Sequence, residues 1–496
     1  MDTHILYDDK KDNLYILIYK LGKGACATVW FAIELFKFIE NFKLKKLIIQ
    51  YKALKIHNSE DYDEGLLEIK IKDILPKNDE NSKYINYPLS HFIYNDDIVI
   101  VVYNVAIGSL YNLIKMYDNK LPEEFIKKII PQASKSIEFL HKHNYIHTDI
   151  KPENFLLVGL TKFQNDIINF VKNYNLFSKF DIPKKTKINF NNISKLISNP
   201  IYKLIDDISI EFDIFDMLID SDNTSESSNE ESDDEESDDE ESDDEENNEE
   251  INEEKNNEET NKETNEDNNE ENNEKTDKSS SVETDISSYN SRRNEYFNKY
   301  DKFNIEKILK LENRDTNSEE TQNAKLDDEN MEFIKQYIEN PTILLTDFGF
   351  IQEKSKISRT VQTRYYRSPE IILGEKYDEK IDLWALGCTF YELITGIIMI
   401  NVEKSEYVEK YDKDLINIKL LIEKIEFKDY KNIKEMAKSS LRKDYIFNND
   451  YTLKFFKNIN YKNWKNDEII NTSDKYIINF IDNLLNINPK KRFFYY

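Results

Sequence analysis

Residues 147–154 read His-Thr-Asp-Ile-Lys-Pro-Glu-Asn, and three of them have the types and spacing that phosphoryl transfer to a protein hydroxyl requires. Asp149 offers a carboxylate that can accept or position the hydroxyl proton, and Lys151 offers a charge that can neutralise the moving phosphoryl group. Asn154 offers an amide oxygen that can bind one Mg²⁺. A solvated loop of polar residues is the alternative, and motifs elsewhere in the chain weigh against it.

A further carboxylate in a metal-binding context follows a predicted strand much later in the chain. Asp347 lies in the sequence Thr-Asp-Phe-Gly, directly after the apolar residues 343–345. It is placed to ligate a Mg²⁺ that bridges phosphate groups. An Asp-Phe-Gly tripeptide alone is common. Its value comes from its order, because it stands after Asp149 and before the Ser-Pro-Glu of residues 368–370.

A glycine-rich stretch follows the first predicted strand and suits the phosphates of a nucleotide. Gly22 and Gly24 would let backbone amides approach phosphate oxygens without Cβ interference, and Val29 suits a roof over an adenine ring. Ala27 stands where a third glycine would be, so an ordinary hairpin turn is the alternative. The candidate nucleotide-binding residues here are Leu21, Gly22, Lys23, Gly24, Ala25, Cys26, Ala27, Thr28 and Val29.

A lysine and a glutamate on neighbouring predicted elements form a candidate ion pair. Lys55 lies on a predicted strand, where it could grip the α- and β-phosphates, and Glu68 lies on the predicted helix that follows. Such a pair would orient the ammonium group and keep it protonated. Glu64, one helical turn earlier, is the second candidate partner, and a solvent-facing strand lysine is the alternative for Lys55.

Three further charged residues have predicted structural roles in the second half of the chain. Glu370 could pair with Arg492 and so tie the segment after Asp347 to the end of the fold. Asp382 begins a strongly apolar helix, where it could accept backbone hydrogen bonds from the loop around Asp149 or act as a simple helix cap.

The elements that must position these residues begin with a strand-rich block. Alternating and β-branched runs predict strands at 15–18, 51–56 and 98–102. Apolar residues at helical spacing predict helices at 64–75 and 122–144. The sequence from residue 341 onward reads as mostly helical.

A long insertion, residues 159–340, separates the globular blocks 15–158 and 341–496. Its centre, residues 221–280, holds 29 of the chain's 96 acidic residues and 4 of its 68 basic ones, so the net charge of −28 falls to −3 for the rest of the chain. Such a segment cannot bury enough apolar surface to offset chain entropy, and we expect disorder there. The simplest interpretation is one catalytic domain with a long insertion.

The flanks of the insertion differ from its acidic centre. Residues 201–219 and 296–311 carry apolar side chains at roughly helical spacing and could dock on the globular part. Only two cysteines are present, Cys26 and Cys388, which favours a reducing compartment, cytoplasmic or nuclear. We find no basic-then-apolar leader and no apolar run of about 18 residues, so we expect no membrane association.

The motifs together resemble the eukaryotic protein kinase family, over about residues 15–158 and 341–492. Within it the chain is most similar to the CMGC group and its SR-protein kinase branch. The supporting residues are the motif at 147–154, Lys-Leu-Gly-Lys-Gly at 20–24, Leu-Glu-Ile-Lys at 67–70 and Gln-Thr-Arg-Tyr-Tyr-Arg-Ser at 362–368. Thr148 supports the branch because most kinases have Arg there, and the branch also carries a long spacer where residues 159–340 lie.

The resemblance implies an α+β, two-lobed protein-kinase fold. A small antiparallel sheet with one helix would form the N-lobe, a larger helical C-lobe would follow, and ATP and Mg²⁺ would lie in the cleft. It implies transfer of the γ-phosphate to Ser or Thr of protein substrates, which in this branch are basic or Arg/Ser-rich. Lys151 and Thr363 would favour Ser/Thr over Tyr, and Ala53 and Leu156 would complete the ATP-binding set. No direct nucleic-acid binding is implied, and the expected state is a monomer.

Two departures from the usual kinase sequence concern regulation by phosphorylation, and a set of acidic residues concerns substrate docking. Thr148 has no positive charge with which to bind a phosphate on the activation loop, and Val361 has no hydroxyl where a neighbouring branch carries phosphotyrosine. We therefore predict activity without activation-loop phosphorylation. A groove for Arg-rich substrates should carry acids near the helix after residue 412, for which Asp412, Asp414 and Glu423 are the candidates.

A different class of function stays open. A pseudokinase or scaffold would use the acidic spacer to bind basic partners, although the presence of Lys55, Asp149, Asn154 and Asp347 argues against it. For the spacer itself, a solvated linker and a segment that binds basic partners or occupies the substrate groove are both compatible with its composition.

Overall fold

One antiparallel sheet and the helix packed on it form the first part of the fold. The strands are β1 (Ile5–Asp8), β2 (Asn13–Lys23), β3 (Ala27–Glu40), β4 (Lys43–His57), β5 (Ser90–Tyr94) and β6 (Ile98–Tyr103), in the order β1-β2-β3-β4-β6-β5. Helix α1 (Tyr62–Ile74) lies between β4 and β5 in sequence and contacts β6. The predicted strands at 15–18, 51–56 and 98–102 each fall within an observed strand, and the helix predicted at 64–75 is α1.

This computed structural model describes residues 5–8, 10–11, 13–40, 43–94, 96–117, 120–176, 190–212, 331–356, 361–425 and 431–494. The acidic segment 221–280 and the flank 296–311 lie outside the described residues. Among the described residues, none of the helices combines the length and apolar character needed to cross a bilayer.

Helices dominate the second part of the fold. They are α2 (Leu110–Met116), α3 (Glu123–Lys142), α6 (331–339), α7 (Pro369–Ile372), α8 (Lys380–Thr395), α9 (Lys413–Lys424), α10 (Lys431–Ala437), α11 (Lys443–Ile446), α12 (Glu468–Thr472) and α13 (Lys475–Leu484). Helix α8 is the centre of this core, because every residue from Ile381 to Thr395 is buried. Helix α13 packs against it, and Phe390 and Phe480 meet edge to face at 5.1 Å. Burial on all sides explains why the α8 sequence is apolar all round.

Two short sheets bring the candidate catalytic segments together. Strand β9 (Phe155–Val158), directly after Asn154, lies between β7 (Ala106–Ser109) and β10 (Ile343–Leu345), with Leu345 opposite Phe155. Strand β8 (Tyr145–Ile146) pairs with β11 (Gln352–Glu353). Antiparallel pairing therefore holds the loop after β8 beside the loop after β10, although the insertion separates them in sequence.

Two helices at the start of the insertion cover one face of the large sheet. Helix α4 (Lys162–Tyr174) begins at a capping box formed by Thr161 and Gln164, and α5 (Phe190–Phe212) follows it. Their apolar side chains are buried with those of β2 and β3 in one cluster, which contains Leu14, Ile16, Ile18, Tyr19, Phe31, Ile33, Leu35, Ile167, Ile168, Val171, Leu176, Ile201, Leu204 and Ile208. The apolar pattern at 201–219 predicted such docking, and residues 201–212 bear it out. Helix α4 was not predicted from the sequence.

Candidate active site

Lys55 on β4 lies between two carboxylates. Its Nζ is 2.8 Å from Glu68 Oε2 on α1 and 2.8 Å from Asp347 Oδ1 after β10. The ammonium therefore joins the sheet, its helix and the loop after β10 at one point. The structure places Glu68, and not the alternative Glu64, against Lys55.

Glu68 is held on every side in a fully buried position. His57 Nε2 lies 3.1 Å from its Oε2, and the Tyr103 hydroxyl donates to its Oε1. Sequence reasoning missed both partners. The signal for His57 was present, because residues two apart on a strand project from the same face, as Lys55 and His57 do.

All three side chains of this cluster stay ionised. Burial acts to raise the pKa of the Asp347 carboxyl, but Lys55 outweighs it and lowers that pKa to about 2. Burial acts to lower the pKa of the Lys55 ammonium, but Glu68 and Asp347 raise it above its ordinary value. The pKa of Glu68 is lowered, since Lys55 and His57 outweigh the effect of burial. At neutral pH this is an ionised triad with one cation and two anions.

Asp149, Lys151 and Thr363 form a second polar cluster. Thr363 Oγ1 donates to Asp149 Oδ1 at 2.6 Å, and Lys151 Nζ lies 2.8 Å from Asp149 Oδ2 and 3.0 Å from Thr363 Oγ1. Asn154 Nδ2 donates to the backbone oxygen of Asp149 at 2.7 Å. Burial acts to lower the pKa of Lys151, but Asp149 raises it, so the lysine is protonated. The structure brings together all four residues that the sequence selected in this region.

The loop that carries Asp149 is anchored from below by Asp382 of α8. Its two carboxylate oxygens accept hydrogen bonds from the backbone N–H groups of His147 and Thr148, each at 2.9 Å, and His141 Nε2 lies 2.8 Å from Oδ2. The predicted backbone contacts of Asp382 are thus confirmed, and the helix-cap alternative is wrong because Glu379 occupies the cap position. Thr148 sits at a φ of 71°, a strained value for a β-branched residue.

The glycine-rich stretch forms the hairpin between β2 and β3, and its tip is exposed. Asn58 holds the tip, because its Nδ2 donates to Ala25 O at 2.9 Å and its N–H to Cys26 O at 3.0 Å. A Cβ built at Gly22 would meet no described atom within 4 Å, and one at Gly24 would meet only Ala27 O at 3.7 Å. Packing within the described residues therefore does not require either glycine, whereas close approach of a ligand to the backbone would.

The remaining candidate nucleotide-binding residues lie on the neighbouring strands. Ala53 of β4 is buried in a cluster that Leu21 and Val29 also contact. Leu156 of β9 is half-buried and lies opposite Ser109 and Leu344. Burial is the main cause that raises the pKa of the Cys26 thiol to about 12, and the neighbouring Asp61 adds to it. This cysteine is therefore uncharged.

The segment after Asp347 is tied to the end of the described chain by the predicted ion pair. Arg492 Nη2 lies 2.7 Å and Nη1 2.5 Å from the Glu370 carboxylate, and both side chains are buried. The three remaining guanidinium donors reach backbone oxygens of Asn486, Lys380 and Ile487 at 2.7–3.2 Å. All five donors of Arg492 are therefore satisfied, and the guanidinium also lies 5.0 Å from the Trp384 ring centre.

The three acids predicted to line a groove for Arg-rich substrates have internal partners instead. Asp412 caps α9 by accepting from Asp414 N at 2.8 Å. Glu423 is buried and accepts from Lys419 Nζ at 2.8 Å. Asp414 lies among three arginines, of which Arg364 Nη1 is 2.8 Å away. The sequence offered the acids, but their partners lie on other elements and were not visible in it.

A buried carboxyl on α8 leads us to expect that the stability of the protein depends on pH. Burial raises the pKa of Glu392 on α8 from 4.5 to about 7; the Tyr366 hydroxyl, which donates to it at 2.6 Å, opposes this rise and Glu153 supports it. The folded state therefore keeps a proton that the unfolded chain releases between these two values, and stability falls as pH rises through that window, by up to about 3 kcal/mol. We expect the melting temperature to fall from about pH 5 to pH 8, and to fall less in Glu392→Gln. Parallel curves for the two proteins would contradict this expectation.

The comparison with protein families agrees with this geometry. The model of the protein kinase domain matches residues 15–170 and 325–494, about two thirds of the chain. The chain belongs to this family. It is an ATP-dependent protein serine/threonine kinase. The predicted fold class is confirmed, with an antiparallel-sheet N-lobe formed by β1–β6 and α1 and a helical C-lobe.

Similar proteins place the kinase among serine/threonine kinases. It is 26% identical over 449 residues to a serine/threonine-protein kinase of Acanthamoeba polyphaga mimivirus. The aligned region covers 87% of this chain and 75% of that kinase. It is 38% identical over 90 residues to the serine/threonine-protein kinase SRPK of Physarum polycephalum, over 18% of this chain and 20% of that one. A crystal structure of a kinase domain superposes with a TM-score of 0.50 at 16% identity, over 99% of this chain and 94% of that one, which shows the shared fold.

Proposed function

We propose that this kinase transfers the γ-phosphate of ATP to Ser or Thr of protein substrates at the two polar clusters around Lys55 and Asp149, without phosphate on its own activation loop. The observation that carries the proposal is the assembled geometry: Lys55 pairs with Glu68 and Asp347, and Asp149 is held by Thr363 and Lys151. A kinase site needs these groups in place together.

Each residue has a proposed part in the reaction. Asp149 accepts or positions the proton of the substrate hydroxyl. The oxygen that would do so is Oδ1, which accepts a hydrogen bond from the Thr363 hydroxyl in this structure. Lys151 neutralises negative charge that develops on the transferred group. Lys55, kept protonated by its two carboxylates, binds the phosphates of ATP.

The residues beside these groups fit Mg²⁺. Asp347 is ionised, and the amide of Asn154 is oriented by its donation to Asp149 O, which leaves the amide oxygen, an atom type that Mg²⁺ prefers. Asp347 and Asn154 would therefore hold the metal. When bound, Mg²⁺ supplies positive charge to the phosphates.

Independence from activation-loop phosphorylation is supported by contacts that contain no phosphate. Asp382 holds the backbone of the catalytic loop, and the Thr148 hydroxyl donates to Phe350 O at 2.8 Å. Arg364 and Arg367, which follow Thr363 in sequence, lie 2.8 and 3.2 Å from the Asp414 carboxylate. A built-in anion thus already positions these two arginines, without a phosphate.

The test is a variant in which Ser355, Ser358 and Thr360 are all replaced by Ala. We expect the rate of phosphate transfer to casein to stay within about twofold of the wild type, because no contact described above needs a phosphate there. Both proteins are made in bacteria, and labelled phosphoserine and phosphothreonine are measured after hydrolysis of the substrate. A loss of tenfold or more would refute independence while leaving the kinase activity of the wild type intact.

The substrate class and the branch are finer proposals. The motif at 362–368, Thr148 and the similarity to the Physarum SRPK kinase favour the SR-protein kinase branch. Arg/Ser-rich substrates stay a prediction of that resemblance alone, since Asp412, Asp414 and Glu423 have internal partners.

A scaffold that uses its acidic spacer to bind basic partners is the second candidate. A scaffold would bind the same partners after Asp149→Ala, and neither protein would transfer phosphate. The ionised state of Lys55 and Asp347 favours the enzyme.

A further inference from the structure

Three arginine side chains converge on one carboxylate next to Thr363. Arg364 Nη1 and Arg367 Nη1 lie 2.8 and 3.2 Å from Asp414 Oδ1, and Arg442 Nη1 contacts Asp414 Oδ2. Three guanidinium groups therefore share one carboxylate, which leaves this arginine cluster with a formal charge of +2.

The arginines come from separate parts of the C-lobe and are positioned by their backbones. The segment before Arg442 is fixed to the loop after α7, because Ser440 Oγ donates to Leu373 O at 2.6 Å. Gly374 in that loop has a φ of +66°, and a Cβ there would lie 3.6 Å from Arg442 Cγ. On the other side, Asn417 Nδ2 of α9 donates to Arg364 O at 3.1 Å.

The cluster retains capacity for another anion. The side chains of Arg442 and Arg364 are 42% and 29% exposed. Each carries five N–H donors, and Asp414 accepts from only the Nη1 nitrogen of each. Among the described residues, the buried Nε of Arg367 has no hydrogen-bond partner. Burial lowers the pKa of Arg367, and the neighbouring Arg364 and Arg442 contribute to this although Asp414 opposes it. One carboxylate therefore does not fully compensate three cations.

The cluster lies next to the residue that contacts the candidate catalytic carboxylate. Arg364 directly follows Thr363, whose hydroxyl is 2.6 Å from Asp149 Oδ1. An extended substrate advances about 3.3 Å per residue. When its acceptor hydroxyl reaches Asp149, residues within about three positions of the acceptor can reach the arginines.

We propose that the arginine cluster selects Ser and Thr acceptors that have acidic side chains within about three residues. The proposal rests on the kinase function proposed above and names its substrate class. The chain itself contains such acceptors, since residues 230–236 read Glu-Glu-Ser-Asp-Asp-Glu-Glu and the Glu-Ser-Asp-Asp-Glu unit recurs around Ser237 and Ser242. A run of arginines beside the acceptor would instead meet a cluster of the same charge.

The first experiment compares three synthetic peptides as substrates of the full-length wild type. One has the sequence of residues 230–236, the second has Asn and Gln in place of its Asp and Glu, and the third is an Arg-Ser repeat. We expect kcat/KM for the acidic peptide to exceed that for the neutral one by at least about tenfold, and this ratio to shrink at high salt because the attraction is electrostatic.

The second experiment removes one charge from the cluster. Arg442→Gln should raise KM for the acidic peptide about tenfold, with little change in KM for ATP or in kcat/KM for the neutral peptide. Arg442→Lys retains charge and should lose less. Lys335→Gln, which removes an exposed cation on α6, is the matched control and should behave as the wild type. Melting temperatures of all variants verify folding.

The outcomes separate this inference from the function beneath it. Equal kcat/KM for the acidic and neutral peptides, a preference for the Arg-Ser peptide, or transfer to casein with none to the acidic peptide would overturn the acidic selectivity and leave the kinase activity standing. Absence of transfer to casein and to every peptide would overturn the proposed function itself.

Discussion

Replacing Asp149 with Ala is expected to lower kcat for phosphate transfer on the order of 10³-fold, within the range found when a general base is removed. The carboxylate accepts a hydrogen bond from the Thr363 hydroxyl at 2.6 Å and lies 2.8 Å from Lys151 Nζ, so its loss removes the proton acceptor and leaves the half-buried lysine without its anion. KM for ATP should change little, because Lys55 and its two carboxylates share no hydrogen bond or ion pair with Asp149. Initial rates with labelled ATP and casein measure both constants.

Two further variants make this result specific. Asp149→Asn keeps the shape of the side chain and removes its charge, so a comparable loss would assign the effect to the carboxylate and not to a cavity. Asp482→Ala removes an exposed aspartate, 47% accessible, and should retain wild-type activity. Retention of more than a tenth of wild-type kcat in Asp149→Ala would contradict the role proposed for this residue.

Replacing Arg492 with Met is expected to cost about 3–5 kcal/mol of stability. The variant leaves the buried Glu370 carboxyl without its bidentate partner, and three backbone oxygens lose a donor. For a domain of this size each kcal/mol corresponds to roughly 2–4 °C, so the melting temperature should fall by about 10 °C. Differential scanning calorimetry measures the change.

The partner variant separates lost pairing from lost volume. Adding Glu370→Leu to Arg492→Met removes the unpaired buried carboxyl and should recover part of the stability. The double-mutant cycle measures this coupling between the two residues. Lys491→Met, at the exposed neighbouring position, should change stability by no more than about 0.5 kcal/mol. A loss below about 1 kcal/mol in Arg492→Met would show that the pair contributes little.

Short motifs in the sequence were sufficient to select part of the candidate site. Asp149, Lys151 and Asn154 lie within six residues of one another, so local spacing alone defines them. The choice between Glu68 and Glu64 needed the structure, because it depends on which turn of α1 faces β4. Asp347 was recognisable, but its contact with Lys55 spans the whole insertion and depends on the pairing of β9 with β10.

The predictions from sequence that the structure does not bear out share a physical cause. Asp414 and Glu423 were expected to face a substrate, yet the first is paired with arginines up to 50 residues away in sequence and the second is buried beside Lys419. Charge alone does not indicate whether a carboxylate faces solvent or a partner. Helix α4 was missed because its apolar face is buried only when the outer face of the sheet is present to receive it.

The docking of α4 and α5 has a mechanical consequence for the nucleotide cleft. Helix α4 leaves the C-lobe strand β9 yet packs on the N-lobe strands β2 and β3; Gln164 also donates to Ala106 O, in the connection between the lobes, at 3.2 Å. Any wide swing of one lobe from the other would pull apolar side chains such as Ile16 and Ile167 apart into water. The first stretch of the insertion therefore connects the two lobes, and we expect nucleotide exchange to depend on smaller movements, such as those of the exposed glycine-rich tip.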